Sequence, residues 1–203
     1  MQNTDQLTDK YTMNNDMTLM LPYYSNFWIQ TPELWQHLLD LPWESQTPAR
    51  KECFMSESGG IEYSYGSGNN IRTYTSIPFT EQVKDIKDNL NNIFDDWVTD
   101  YNVCFLNRYD NEKNSLGYHA DDSENMNLDH PIAVISFGAE REIWWKKQDF
   151  KGIIPQNQKK LLKPGFVFIM PAGFQRDHVH KIPKADHKCG TRISLTFRNY
   201  KEI

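Results

Sequence analysis

Cysteine is scarce in this chain of 203 residues: Cys53, Cys104 and Cys189 are the only three, an odd number with no Cys-x-x-Cys pair. That excludes a disulfide framework and fits reduced thiols in an intracellular compartment, cytoplasm or nucleus. Long apolar runs are missing too. None approaches the roughly 18 residues that span a bilayer, so no membrane partner is expected. The first residues carry Asp5, Asp9 and Lys10 and lack the apolar stretch of a secretory signal. Positive charge is in deficit, with 22 Lys+Arg against 27 Asp+Glu and a net charge of −5. Taken alone, that argues weakly against a polyanionic partner. No internal repeat and no long linker divides the chain. Its length fits one buried domain, expected over residues 19–203 as a monomer, behind a flexible Asn/Asp/Thr-rich arm at 1–18.

The charge is unevenly placed. Residues 141–203 hold 14 Lys+Arg against 5 Asp+Glu, a net of +9, and residues 1–140 a net of −14. A basic C-terminal part can present a phosphate-binding stripe on an acidic protein. Thr31-Pro32-Glu33 reads as a helix start, with Thr as N-cap and Pro at the first helical position. Leu34, Trp35, Leu38 and Leu39 give that helix its apolar face, and Pro42 ends it. Val83, Ile86, Leu90, Ile93, Phe94 and Trp97 recur at helical spacing and predict a second helix from Thr80 to about Trp97. Beyond residue 100 come short β-rich runs at 103–106, 132–137, 142–145, 166–170 and 193–197, separated by Gly, Pro, Asn and Asp. The pattern predicts a mostly β fold, a jelly roll with its N-terminal helices packed on one face. Lys146 to Lys163 reads as a long polar surface loop.

Against this background His119-Ala120-Asp121 stands out, answered by His178-Val179-His180 and then by Arg192-Ile193-Ser194-Leu195-Thr196-Phe197-Arg198. A His-x-Asp pair plus a distant His is the 2-His-1-carboxylate set, which holds Fe(II) on one face and leaves positions open for a co-substrate and O2. On extended chain His119 and Asp121 point the same way. His178 and His180 compete for the place of third ligand, and only one serves. His180 is favoured. Two arginines six apart supply cationic forks for a dicarboxylate such as 2-oxoglutarate.

The ordered set of Pro48-Ala49-Arg50-Lys51, Tyr63-Ser64-Tyr65, Asn107-Arg108-Tyr109, Asn111-Glu112-Lys113, His119-Ala120-Asp121-Asp122, Ser136-Phe137-Gly138-Ala139, His180-Lys181-Ile182-Pro183 and Arg192 to Arg198 resembles the AlkB family of Fe(II)/2-oxoglutarate-dependent nucleic-acid dealkylases. The resemblance implies a double-stranded β-helix fold, with a nucleotide-recognition region at about 48–80 and the jelly-roll core at about 100–200. It implies that His119, Asp121 and His180 bind iron and that Asn107 and Tyr109 hydrogen-bond 2-oxoglutarate. Arg192 would take the distal carboxylate, with Arg198 near the chelating one. The family often has Asn where this chain has Ser194, a shorter hydrogen-bonding side chain that would weaken co-substrate binding. The implied reaction is oxidative demethylation of N-alkylated bases, coupled to decarboxylation of 2-oxoglutarate to succinate.

On the substrate side, Tyr63 and Tyr65 alternate in a glycine-bounded segment that predicts a mobile hairpin whose rings stack on a base. Asp122 could accept from an exocyclic amine. Related enzymes often carry an acid at the position of Ser123. Arg50 and Lys51, with Arg72, Lys146, Lys147 and Arg176, are candidate phosphate contacts. No confident duplex-wedging finger is evident, Phe54 and Phe174 being the candidates, and a single-stranded DNA or RNA avoids most of the cost of unstacking. A 2-oxoglutarate-dependent hydroxylase of a protein side chain or small molecule would use the same triad and arginines.

Overall fold

The computed structural model describes residues 23–26, 28–66, 68–93, 100–121 and 123–201. The expected arm at 1–18, the tail of the second helix beyond Ile93, and Asp122 lie outside the described residues. In chain order the elements are β1 (Tyr23–Asn26), α1 (Pro32–Leu39), β2 (Glu44–Thr47), β3 (Arg50–Ser56), β4 (Glu62–Tyr65), β5 (Arg72–Thr75), β6 (Ile77–Pro78), α2 (Glu81–Ile93), β7 (Val103–Tyr109), β8 (Leu116–His119), β9 (Ile132–Gly138), β10 (Arg141–Lys147), β11 (Lys159–Leu162), β12 (Phe166–Met170), α3 (Phe174–Asp177), β13 (His178–Ile182) and β14 (Arg192–Arg198).

The strands form a jelly roll. Its major sheet runs β1-β12-β9-β14-β7-β3-β2, with β6 parallel beside β3, and its minor sheet runs β11-β10-β13-β8. β4 and β5 pair as a separate hairpin. The central strands are buried on both faces, and the alternation of side chains divides their residues between two cores. Cys104, Leu106, Ile135, Phe137, Ile193, Leu195 and Phe197 face Leu34 and Leu38 of α1 and Val83, Ile86 and Leu90 of α2. The opposite face sends Phe54, Phe105, Val134 and Phe168 towards Ile143, Trp145 and Ile182 of the minor sheet. The expected packing of both helices on one face of the sandwich is therefore observed. Thr31 caps α1 by accepting from the Leu34 N–H at 3.2 Å, and His37 joins the two helices through Thr80 Oγ1 at 2.9 Å.

One sequence expectation is overturned, and one strand was not foreseen. Residues 146–163 are not all loop, because Lys159–Leu162 returns as β11 against β10, with Arg141 opposite Leu162. Polar composition masks this strand, which has one face to solvent. β3, rich in charge as Arg-Lys-Glu-Cys-Phe-Met-Ser, did not read as a strand. It pairs with β7 over six residues, Lys51 opposite Arg108 through Ser56 opposite Val103. Gly138 closes β9 at φ +78, where a Cβ would stand 2.3 Å from the Thr191 carbonyl oxygen, so only glycine lets β9 turn into β10 here.

Candidate metal and dicarboxylate site

Between the two sheets lies a cavity of about 660 Å³. Its polar lining comes from strands whose alternation looks amphipathic in the sequence. In β14, Ile193, Leu195 and Phe197 enter the helix-side core, and Arg192, Ser194, Thr196 and Arg198 line the cavity. Every residue of this strand is buried.

His119, the last residue of β8, Asp121 just beyond it, and His180 on β13 converge there, with one ligand atom from each within 4.8 Å of the others. The pairing of β13 with β8 sets His180 opposite His119, and their rings are 4.2 Å apart. His119 Nδ1 lies 2.9 Å from the Gly117 carbonyl oxygen. A carbonyl only accepts, so Nδ1 carries the proton and the Nε2 lone pair is left for a ligand. His119 Nε2 is 3.7 Å from Asp121 Oδ1, and His180 Nε2 is 4.0 Å from Oδ2. Asp121 Oδ2 and His180 Nδ1 are buried without a hydrogen-bond partner. His178, the alternative third ligand, turns away: its Nδ1 pairs with Asp177 at 2.6 Å and its ring stacks on Phe174.

Burial holds both site histidines below their ordinary value, His180 down to about 3. They are neutral imidazoles at pH 7, the form that binds metals. Burial alone would raise the Asp121 carboxyl, but the charged Arg198 beside it is the largest opposing cause, and the carboxyl is held below the usual range. Arg198 donates to Asp121 Oδ1 at 2.7 Å, and the Asp121 N–H donates to Gln175 Oε1 at 2.9 Å. One anion and two neutral imidazoles, with an orphaned carboxylate oxygen, suit a divalent first-row metal ion.

The second part of the cavity suits a dicarboxylate. Arg192 on β14 is fully buried, and its Nε donates to Ser136 Oγ at 2.8 Å. Its two terminal nitrogens, Nη1 and Nη2, have no hydrogen-bond partner. Burial draws the guanidinium down to about 10, still charged at pH 7. A buried cation with two idle donors is costly unless an anion meets it, and a carboxylate matches the fork. Tyr109 lies opposite Arg192 in the register and Asn107 opposite Ser194. All four line the cavity.

The substrate-side residues fare differently. Tyr63 and Tyr65 line the cavity from β4, stacked on each other at 5.6 Å, with Tyr65 stacked on Tyr74 at 6.1 Å. Arg50 is not an exposed phosphate contact. It is buried, donates to Asn107 Oδ1 at 2.7 Å and to the Tyr65 hydroxyl at 2.8 Å, and pairs with the wholly buried Glu52. Lys51 is half-buried and paired with Asp110 at 3.0 Å. Arg176 pairs with Asp129 at 2.7 Å. Phe54 and Phe174 are both core residues, 1% and 0% exposed, so neither is a wedge.

Sequence reasoning passed over several residues. Glu52 accepts from the Tyr65 and Tyr74 hydroxyls. Gln175 orients Asp121, Ser136 holds Arg192, and Arg141 donates to the Asn111, Asn114 and Pro183 carbonyls. The available signal was polarity inside apolar strands: Glu52 before Cys53-Phe54-Met55, and Ser136 between Ile135 and Phe137.

The profile of the 2OG-Fe(II) oxygenase superfamily matches residues 28–198. The DNA oxidative demethylase ALKBH2 of Arabidopsis thaliana is 30% identical over 168 residues, 73% of this chain and 52% of that protein. The human alpha-ketoglutarate-dependent dioxygenase alkB homolog 3 is 27% identical over 172 residues, covering 78% of this chain and 57% of the relative. The chain spans about half the length of the curated relatives it matches.

Proposed function

The chain belongs to the 2OG-Fe(II) oxygenase superfamily, and from that premise we propose that it oxidatively demethylates N-alkylated bases in single-stranded DNA or RNA. One observation carries this reading. A 2-His-1-carboxylate set and a buried, half-idle guanidinium face one cavity whose wall includes two stacked tyrosines. His119, Asp121 and His180 would hold Fe(II). Arg192 would take the distal carboxylate of 2-oxoglutarate, with Asn107, Tyr109 and Ser194 beside it. Bound together, Fe(II), 2-oxoglutarate and O2 supply oxidation of a C–H bond with decarboxylation of the keto acid to succinate.

The protein's own part is positioning and exclusion. Arg198 and Gln175 fix Asp121 from two sides, so the carboxylate keeps its aim. The two sheets place the reacting centre between them, with Asp121 and His180 buried. Arg50 links Asn107 to Tyr65, tying the co-substrate wall to the ring wall. A hydroxylated N-methyl group needs no nucleophile from the protein to leave as formaldehyde. The single-stranded preference is supported by the burial of Phe54 and Phe174, which leaves neither candidate free to pry a duplex open. The similarity to a relative named as a DNA oxidative demethylase supports the substrate class.

The test is paired detection of succinate and formaldehyde, with N-methylated and unmethylated single-stranded DNA and RNA oligonucleotides side by side. Stoichiometric formaldehyde from a methylated strand is the expected result. Succinate alone, unaffected by any oligonucleotide, would remove the nucleic-acid reading and favour a hydroxylase of a protein side chain or small molecule.

A further inference from the structure

We propose that the outer face of the minor sheet is a track for the sugar-phosphate backbone of the single strand whose base enters the cavity. It rests on the nucleic-acid reading of that cavity. β10 turns Arg141, Ile143 and Trp145 inward, so Trp144 and Lys146 face out. β13 turns His180 and Ile182 inward and Lys181 out. In the register, Trp144 is the partner of both Lys159 on β11 and Lys181 on β13. Lys159, Trp144 and Lys181 thus make a row across three strands, and Tyr118 on β8 extends it to the rim of the cavity, beside His119.

The row is dense in charge and aromatic surface. Lys181 Nζ stands 4.2 Å from the Trp144 ring and 4.7 Å from the Tyr118 ring. Lys159 Nζ is 4.3 Å from the Trp144 ring, and Lys146 Nζ is 4.8 Å from that of Tyr118. None of the three ammonium groups has an ion-pair partner among the described residues; Lys146 donates to the Phe150 carbonyl. The acid of this face, Glu142, accepts from the Trp144 indole at 2.7 Å. Three like charges over two rings repel one another. A polyanion laid along the row relieves that repulsion. Ammonium groups that swing onto phosphates also uncover ring faces on which bases stack. Four strands at about 4.8 Å spacing make the track roughly 14 Å wide, enough for a few nucleotides. A folded acidic protein would need several carboxylates matched to fixed lysines, whereas a flexible single strand adapts to three.

Fluorescence anisotropy of an unmodified 15-nucleotide single strand decides it, with the full chain loaded anaerobically with Fe(II) and 2-oxoglutarate. The triple variant Lys146→Gln/Lys159→Gln/Lys181→Gln should raise Kd at least 10-fold at 50 mM salt. It should also flatten the log–log salt slope by about 2, because each neutralised phosphate of a single strand contributes roughly 0.7. The corresponding Lys→Arg triple variant should restore both. Melting temperature and oligonucleotide-free succinate formation should match the wild type in both variants, showing an intact fold and site. A Gln variant whose Kd stays within twofold of wild type overturns the track, as does a wild type that binds no oligonucleotide. Polyglutamate competing as well as the oligonucleotide overturns the nucleic-acid occupant. The dealkylase reading fails separately, by absence of formaldehyde from a methylated trinucleotide too short to use the track.

Discussion

Arg192 is the residue where chemistry and fold meet most sharply. Its Nε is satisfied by Ser136, and its two terminal nitrogens, buried at the cavity wall, have no hydrogen-bond partner. A carboxylate bound there would answer both nitrogens. Arg192→Ala should weaken 2-oxoglutarate by about 1.5–3 kcal/mol, on the order of 10–100-fold. Titration of the Fe(II)-loaded, oxygen-free protein measures this directly, and an unchanged affinity would place the carboxylate clamp elsewhere. Ser194→Asn should tighten the same affinity, because Ser194 stands between Asn107 and Ser136 at the cavity wall, where a longer amide gains a partner. A loss of affinity on that change would show the shorter hydroxyl to be fitted to the site. His180 rather than His178 is the third ligand by geometry. Residues two apart share a face of an ideal strand, so the period does not choose between them; the packing of His178 on Phe174 does.

At the scale of elements, one buried carboxylate ties both strands of the β4–β5 hairpin to the jelly roll. Glu52 on β3 receives the hydroxyls of Tyr65 on β4 and Tyr74 on β5 and pairs with Arg50. Glu52→Ala would remove the buried charge partner of Arg50 and the acceptor of two tyrosine hydroxyls at once. The expected cost is about 3–5 kcal/mol in urea denaturation of the metal-free protein. Glu52→Gln, which keeps an acceptor, should cost less. A loss below 1 kcal/mol for the Ala variant would mean that water replaces the carboxylate and that the hairpin is anchored by its rings alone. In the same network the tyrosine segment, expected from its glycines to be a mobile hairpin, packs Tyr63 on Phe54 and Phe105. Strand β3 was illegible for a related reason. Its charged residues serve the interior, so hydrophobicity by itself hides the strand.

For the whole molecule, the buried site makes a pH-dependent statement. His119 and His180 have depressed values in the folded state against about 6.5 when unfolded. Below that pH the unfolded chain binds more protons than the native one, so native stability falls as pH falls. Asp121, also depressed, adds in the same direction, its contribution being lost as pH drops through its lowered native value. The metal-free protein should therefore lose stability steadily from about pH 6.5 downward, each neutral histidine contributing up to about 1.4 kcal/mol per pH unit. Urea midpoints at pH 7.5, 6.5 and 5.5 test this, and a midpoint constant across that range would mean that the histidines are free to protonate in the folded state. The basic surplus of the C-terminal part also changes meaning at this scale. Arg141, Arg192 and Arg198 are all buried, so three of its positive charges never reach the surface.

The sequence by itself determined the fold class, the two N-terminal helices, the iron-binding pattern and the arginine pair, because each is written locally. Capping chemistry, helical and strand periods, and a His-x-Asp spacing all act over a few residues. What the tertiary structure decided is everything that depends on pairing strands distant in the chain. The register of β13 with β8 chose His180. That of β14 with β7 and β9 brought Arg192 to Tyr109 and Ser194 to Asn107. The pairing of β3 with β7 turned Arg50 from a supposed phosphate contact into an internal tie. A single strand's alternation states that two faces differ; only the sheets stacked on it decide that the polar face is a cavity wall rather than the solvent side.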